Sequence, residues 1–479
     1  MLTNPAALLP LALPTILILA KNKKDKKPNM NKQLLSLLVV ALSFTTFSCI
    51  KVNFNEGGTI TTPTDSASNI ISGTITTSRL YAKGKYILKG YVYVTNGANI
   101  TFEPGCVVVS DVTEKGALII ERGAKIIAAG TATNPIVFTS GKPAGSRAPG
   151  DWGGIILLGK APTNRPLDPA PTIEGGVGRQ YGGTDPLDDS GILKFVRIEF
   201  AGIAAEPGSE INGLTCGGVG SGTIIENVQV SFGNDDAFEF FGGTVNAKNL
   251  IAFVTADDDF DFDFGYTGKI QFAVSCRKPD FVDAGDAGNG IECDNDASGT
   301  TATPRTRPQL SNFTIIGPND ATGTAANHNY SNRWRRATQF ILRNSILMGH
   351  PDAGFSMESD ATLNDYYTNG LSEFKNNLVH STINQYRSGN STLVSAALIK
   401  AKAEAEGCIT YTDATAIQLE NPFYSTSPNF LPKTGSPALT GASFTGMNTF
   451  FVSTAYRGAF GTNNWTANWS NFDPQNTVY

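Results

Sequence analysis

Short segments of alternating apolar and polar residues recur through the middle of the chain, each closing on a turn. LKFVRIEFAG (193–202) aligns with IENVQVSFGN (225–234), and that segment with AKNLIAFVTA (247–256) at an offset of 22 residues. SNFTIIG (311–317), RNSILMG (343–349) and KNNLVHS (375–381) continue the series. Alternation with period two marks strands with one buried face. A strand-and-turn unit of this length cannot bury its apolar face alone, so the units must stack. The pattern predicts a β-solenoid with one unit per coil and longer spacings where loops intrude.

Apolar stretches at 91–94, 107–109, 118–120 and 136–138 are separated by Gly or Pro and read as shorter coils of the same kind. Asn precedes the strand in five later copies, at Asn227, Asn249, Asn312, Asn344 and Asn377. Asn tolerates the left-handed backbone and can bond its own turn. Stacked coils would bring these amides into a ladder. With this recurrent Asn the chain resembles the right-handed parallel β-helices of the pectate-lyase-like superfamily. The resemblance implies an all-β parallel β-helix over residues 70–390. Trp152 of PGDWGG (149–154) is expected to fill a corner of the core, with a surface sugar platform as the alternative.

The end of the chain departs from the repeat. STLVSAALIKAKAEAE (391–406) has Ala, Leu, Lys and Glu at helical spacing and stops at Gly407, a fitting helix end. A solenoid end exposes strand edges and core, so it needs covering. Residues 391–479, with this helix and with Trp465, Trp469 and Phe472, are therefore expected to form a C-terminal cap.

The start of the chain reads as an address. MNKQLLSLLVVALSFTTFSC (30–49) joins a basic start, an apolar run and small residues before a Cys, the layout of a secretory signal. Its last four residues resemble a bacterial lipobox, which implies lipidation of Cys49; an ordinary signal peptide ending in Cys is the alternative. Residues 50–69, rich in Thr, Ser and Gly, read as a flexible tether. Residues 1–29, a Pro-broken apolar stretch and a Lys patch, read as an upstream over-extension.

Composition narrows the function classes. The net charge is −5 and charged residues make up 16% of the chain, which does not describe a nucleic-acid binder. Three His leave little for a His-built zinc site, and nothing calls for an organic cofactor. Beyond Cys49, five Cys without a CxxC pair read as buried core residues, with a Cys276–Cys293 bridge as the alternative. The acids are concentrated: residues 235–296 hold fourteen Asp and Glu against four Lys and Arg.

Stacking organises that concentration. Aligning Phe238-Glu239-Phe240-Phe241, Phe260-Asp261-Phe262-Asp263, Ile291-Glu292-Cys293-Asp294 and Phe355-Ser356-Met357-Glu358 turns the apolar residues inward and the acids outward. One column then holds Glu239, Asp261 and Glu292, and the next holds Asp263, Asp294 and Glu358, with coils ~4.8 Å apart. Like charges so placed repel. Three arrangements relieve them. Ca²⁺ takes roughly six to eight oxygens, which these six acids and the turn acids Asp257 and Asp259 would supply. Raised pKa values would leave some acids protonated, as in paired catalytic carboxylates. Solvent and loop cations would screen an exposed face. Arg333-Trp334-Arg335-Arg336 suits that last role or the gripping of an acidic glycan.

PGDWGGIILLG (149–159), EFFGGTVNAKNL (239–250), DDDFDFDFGYTGKIQF (257–272) and NWTANWSNFDPQ (464–475) resemble a family of Gram-negative outer-membrane lipoproteins. This resemblance covers residues 70–479. It implies a lipid-anchored protein at the cell surface or periplasmic face of the outer membrane, and brings no activity. Parallel β-helices host polysaccharide lyases and glycoside hydrolases, so two functions stand side by side. The leading one is a non-enzymatic binder of glycan or protein ligands, stabilised by calcium. The other is a calcium-dependent lyase or hydrolase using Asp235, Asp236, Asp258 and Asp261, with Arg277 and Lys278 as the nearest bases. Asp235-Asp236 and Gly349-His350 loosely match polygalacturonase motifs, but the remaining pieces of that pattern are missing.

Overall fold

The computed structural model describes residues 69–206 and 209–479. The expectations for the signal, for Cys49 and for the tether before residue 69 lie outside the described residues.

Twenty-six strands wind into an all-β, right-handed parallel β-helix. Its three sheets follow from the repeat. The first sheet stacks Arg79–Tyr81, Asn99–Phe102 and Lys125–Ala129, then the leading halves of Gly191–Glu199, Ile224–Gly233, Asn246–Thr255, Lys269–Cys276 and Gln309–Ile316. The trailing halves of those long strands form the second sheet with Val107–Ser110, Ile136–Thr139, Ile346–His350 and Leu378–Ser381. The third sheet stacks Ala117–Ile120, Gly154–Leu158, Leu214–Gly217, Phe238–Phe241, Phe260–Asp263, Glu292–Cys293, Arg333–Trp334 and Phe355–Met357.

Register places like on like inside. Phe238 stacks on Phe260 and Phe240 on Phe262, each pair with ring centroids 5.3 Å apart. Trp152 fills a corner as expected, buried, with its Nε1 donating to the Glu199 carbonyl at 2.7 Å. The five described cysteines are buried and unbridged, Cys276 and Cys293 included.

The predicted Asn column lies at the bend between the first and second sheets. Asn227, Asn249, Asn312 and Asn344 sit there in the left-handed region, with φ of 55° to 60°. The last member is Asn376, not Asn377: Ile346 pairs with Leu378, which puts Asn377 opposite Ser345. Phe195 and Phe272 hold the same position in the coils that lack Asn. These amides do not bond one another along the axis. Asn312 donates to the carbonyls of Tyr456 and Gly458, each at 3.1 Å, and Asn344 to that of Ser443 at 3.1 Å. The bend is thus a row of clips for the C-terminal segment.

That segment does more than cover an end. The helix Ala396–Ala405, shorter than the expected 391–406 because Ser395 caps it, buries Ile399 and Ala403 against the last coil. Beyond Ile409–Tyr411 the chain turns back along the flank of the second sheet. Its Phe430, Phe460 and Trp469 cover Ile251, Phe253, Val274, Ile316 and Met348, apolar side chains that point away from the helix interior. Gln271 and Gln229 each bond a backbone group in both directions, with Val452 and Asn471 respectively. Tyr479 reaches Glu199 at 2.6 Å, far from the end the helix covers.

Candidate functional site

The acids converge on the outer surface of the third sheet. Pairing puts Glu239 beside Asp261, Asp261 beside Glu292, and Glu292 beside Arg333. The next column runs Asp263, Asp294, Arg335, Glu358, since Asp294 bonds the Phe262 carbonyl, Arg335 that of Cys293 and Glu358 that of Trp334. Both expected columns therefore form, but with an arginine coil inserted before Glu358. Arg333–Trp334 is a coil of its own between Glu292–Cys293 and Phe355–Met357, absent from the four aligned segments.

A side-chain ladder sits at the turn leading into this sheet. The Asp236 N–H donates to Asn212 Oδ1, the Asp258 N–H to Asp236 Oδ1, the Asn289 N–H to Asp258 Oδ1 and the Tyr330 N–H to Asn289 Oδ1. Four successive turns are fixed this way. Asp236 and Asp258 each use one carboxylate oxygen in this ladder.

The arginines divide the belt in two. At its far end Arg333 bonds Glu292 at 3.1 Å and Glu358 at 3.0 Å, and Arg335 bonds Asp294 at 2.9 Å and also contacts Glu292. Arg336 and Arg387 complete that half, on Asp294 at 2.7 Å and Glu358 at 2.6 Å. The near half, made of Asp235, Asp236, Glu239, Asp257 and Asp261 with Glu174 alongside, has no such counter-charge among the described residues.

Burial makes this costly. The belt is not the solvated face that an outward-pointing column suggests: Asp236 and Glu239 are each 7% exposed, because loops carrying Glu174 and Asn212 lie over them. Asn212 donates from one amide to both Glu174 and Glu239. Burial first, and neighbouring carboxylates second, push Asp235, Asp236, Glu239, Asp258 and Asp263 well above the usual carboxylate range. The same causes bring Asp257 up to about 7. Asp261 also rises to about 7 by burial and the nearby Asp294, against the pull of Arg335.

The donor set fits a hard divalent cation. Oxygens from Asp235, Asp236 and Asp257 lie within 4.8 Å of one another, as do oxygens from Asp236, Glu239 and Asp261. Ligands ~2.4 Å from one Ca²⁺ span no more than ~4.8 Å. Asp261 Oδ1 is buried without any hydrogen bond, which is expensive for an acceptor unless a cation or proton meets it.

Other candidates fall elsewhere. Asp259 points the opposite way and pairs with Arg277 at 3.2 Å, both fully buried. Arg277 also donates to the carbonyls of Asp257, Thr255, Ala256 and Asn289 and to His328 Nδ1, so it cements the turn from within. Lys278 is paired at the surface with Asp280. His350 is wholly buried and bonded to Ser331, and both burial and Arg277 hold its pKa well down. Sequence reasoning had no route to Glu174 and Asn212, which arrive from loops without periodicity.

A family model described as a pectate-lyase-like β-helix domain matches residues 73–420. Among solved structures, that of the pectate lyase Pel9A is similar at a TM-score of 0.38 and 12% identity, over 77% of this chain and 89% of that one. No curated protein matches.

Proposed function

Since the chain belongs to the pectate-lyase-like β-helix family, we propose that it is a carbohydrate-binding protein of the cell envelope. In this reading it holds Ca²⁺ in the near half of its acidic belt and grips an acidic glycan through it. The carrying observation is the cluster of Asp236, Glu239 and Asp261 oxygens, to which no arginine among the described residues is ion-paired. A bound Ca²⁺ would supply the missing positive charge and open positions for glycan carboxylates. Asp235 and Asp257 would complete the shell from the turn.

Binding without cleavage is favoured by the position of the basic groups. A lyase needs a base free to reach the sugar. Arg277 is sealed inside, Lys278 is paired with Asp280, and Arg333 and Arg335 are bonded to acids that raise their pKa values. One observation supports a hydrolase as the second reading. Glu292 is raised to about 8 by burial and Asp257 to about 7, the range of a general acid near neutrality.

The address belongs to the proposal too. Lipidation of Cys49 would tether the β-helix to the outer membrane, at the cell surface or periplasmic face. Labelled fatty acid retained by the wild type and lost in Cys49→Ala would support it. For the function, the protein is mixed with polygalacturonate and with neutral polysaccharide, in Ca²⁺ or in chelator. Calcium-dependent retention by the acidic polymer without new chain ends is expected. New ends that vanish in Asp261→Ala would make it an enzyme.

A further inference from the structure

A second site lies away from the acidic belt, where the C-terminal segment crosses the bend between the first and second sheets. A cavity of about 400 Å³ opens there, lined by Phe272, Tyr456, Trp465, Asn249, Asn463 and Thr462 among others, with no charged side chain. Its volume is within the range of small-ligand pockets.

Each wall has a feature that packing alone does not require. Phe272 occupies the column that Asn holds in neighbouring coils, at φ 65°, a strained conformation for a bulky residue. Phe195, the other Phe of that column, is covered edge-on by Trp469 at 5.9 Å. Phe272 is half-buried as Phe195 is, but among the described residues no tryptophan covers it; the Tyr456 ring lies tilted 33° to it at 6.4 Å. Trp465 is pinned by stacking on Phe460 at 5.1 Å and by its Nε1 bond to the Ala459 carbonyl. Gly461 makes room for the tyrosine: a Cβ there would lie 2.7 Å from Tyr456 Cε1. Polar groups complete the wall. Asn312 and Asn344 spend their amides on the C-terminal segment, whereas among the described residues none bonds the side chains of Asn249, Asn463 or Thr462.

We propose that this cavity binds a neutral sugar unit. Aromatic faces are electron-rich and attract the polarised C–H face of a pyranose ring, while amides and a hydroxyl suit its hydroxyl groups. An uncharged lining supplies no cation to balance a uronate carboxylate, so the ligand class differs from that of the acidic belt.

The test titrates the full chain, in chelator, with cellohexaose, mannohexaose and laminarihexaose, and with hexagalacturonate as the charged comparison. At least one neutral hexaose should bind. Phe272→Asn, which restores the residue that the bend favours, should melt at or above wild type yet weaken that binding by about tenfold or more. Tyr456→Ala and Gly461→Ala should weaken it as well. No binding of any neutral hexaose by the wild type would overturn the proposal. So would unchanged affinity in Phe272→Asn and Tyr456→Ala, or equal binding of hexagalacturonate in chelator. Because calcium is absent throughout, failure here is separate from failure of the calcium-dependent function.

Discussion

Asp236 accepts the backbone N–H of Asp258 at 2.7 Å, so one acid of the belt holds the next coil's acid in place. The cluster is therefore built by the turns themselves. Asp236→Asn keeps an acceptor for that N–H and removes one like charge. In chelator it should melt at or above wild type. Asp236→Ala leaves the N–H buried without a partner, at a cost of about 1–3 kcal/mol, and should melt below both. Thermal melts of the three proteins check the order, and equal melting of the Asn and Ala variants would remove the structural role of this bond.

The raised carboxylates set a pH dependence with a definite sign. An acid whose folded pKa is raised binds more protons folded than unfolded, so stability falls as pH rises from its unfolded value to its folded one. For Asp257 and Asp261, both raised to about 7, the loss in chelator runs from the ordinary carboxylate range up to about pH 7. A bound Ca²⁺ would replace those protons. The difference in melting temperature between calcium and chelator should therefore be small at pH 5 and grow up to pH 8. Buried His328, pushed down to about 3 by burial and Arg277, destabilises the fold below its ordinary range in both conditions, so it cancels in the difference. A difference that shrinks with rising pH would contradict the assignment.

Arg277 is expected to be structural. Its fully buried pair with Asp259 and its four carbonyl contacts join the turns around residues 255–259 and 289. Breaking a buried pair leaves an uncompensated charge and costs about 3–5 kcal/mol. Arg277→Met should show that loss in denaturant unfolding. The double variant with Asp259→Asn should recover part of it, because the orphaned charge is gone.

The C-terminal segment should carry stability along the whole flank. Trp469 is buried against Phe195 and Trp465. Trp469→Ala is expected to cost about 3–5 kcal/mol and to expose apolar second-sheet surface, read as increased binding of a hydrophobic dye. A variant as stable as wild type would mean the segment is not load-sharing at this point.

The coil repeat is readable because the strands alternate with period two and most bends take Asn or Gly, Phe195 and Phe272 excepted. Residues such as Asn249 and Asn312 announced their turn, and Glu239 and Asp261 their shared column. The ladder through Asp236 and Asp258 was present in the same sequence but hidden, since acidic turn residues look like solvated loop charge. What sequence could not show was the covering. Glu174 and Asn212 come from irregular loops, and the path of 412–479 back along the second sheet depends on contacts between residues some two hundred positions apart, such as Gln229 with Asn471. Asn377 was misplaced by one residue because two Asn adjoin and only the pairing of Ile346 with Leu378 decides between them.

Calcium binding itself tests the central claim most directly. Ca²⁺ is titrated calorimetrically into chelator-treated wild type, Asp261→Asn and Glu239→Gln at pH 7.5. Saturable binding to the wild type, weakened by about tenfold or more in both variants, is the expected result. A wild type that takes up no Ca²⁺, or variants that bind it as the wild type does, would contradict the account.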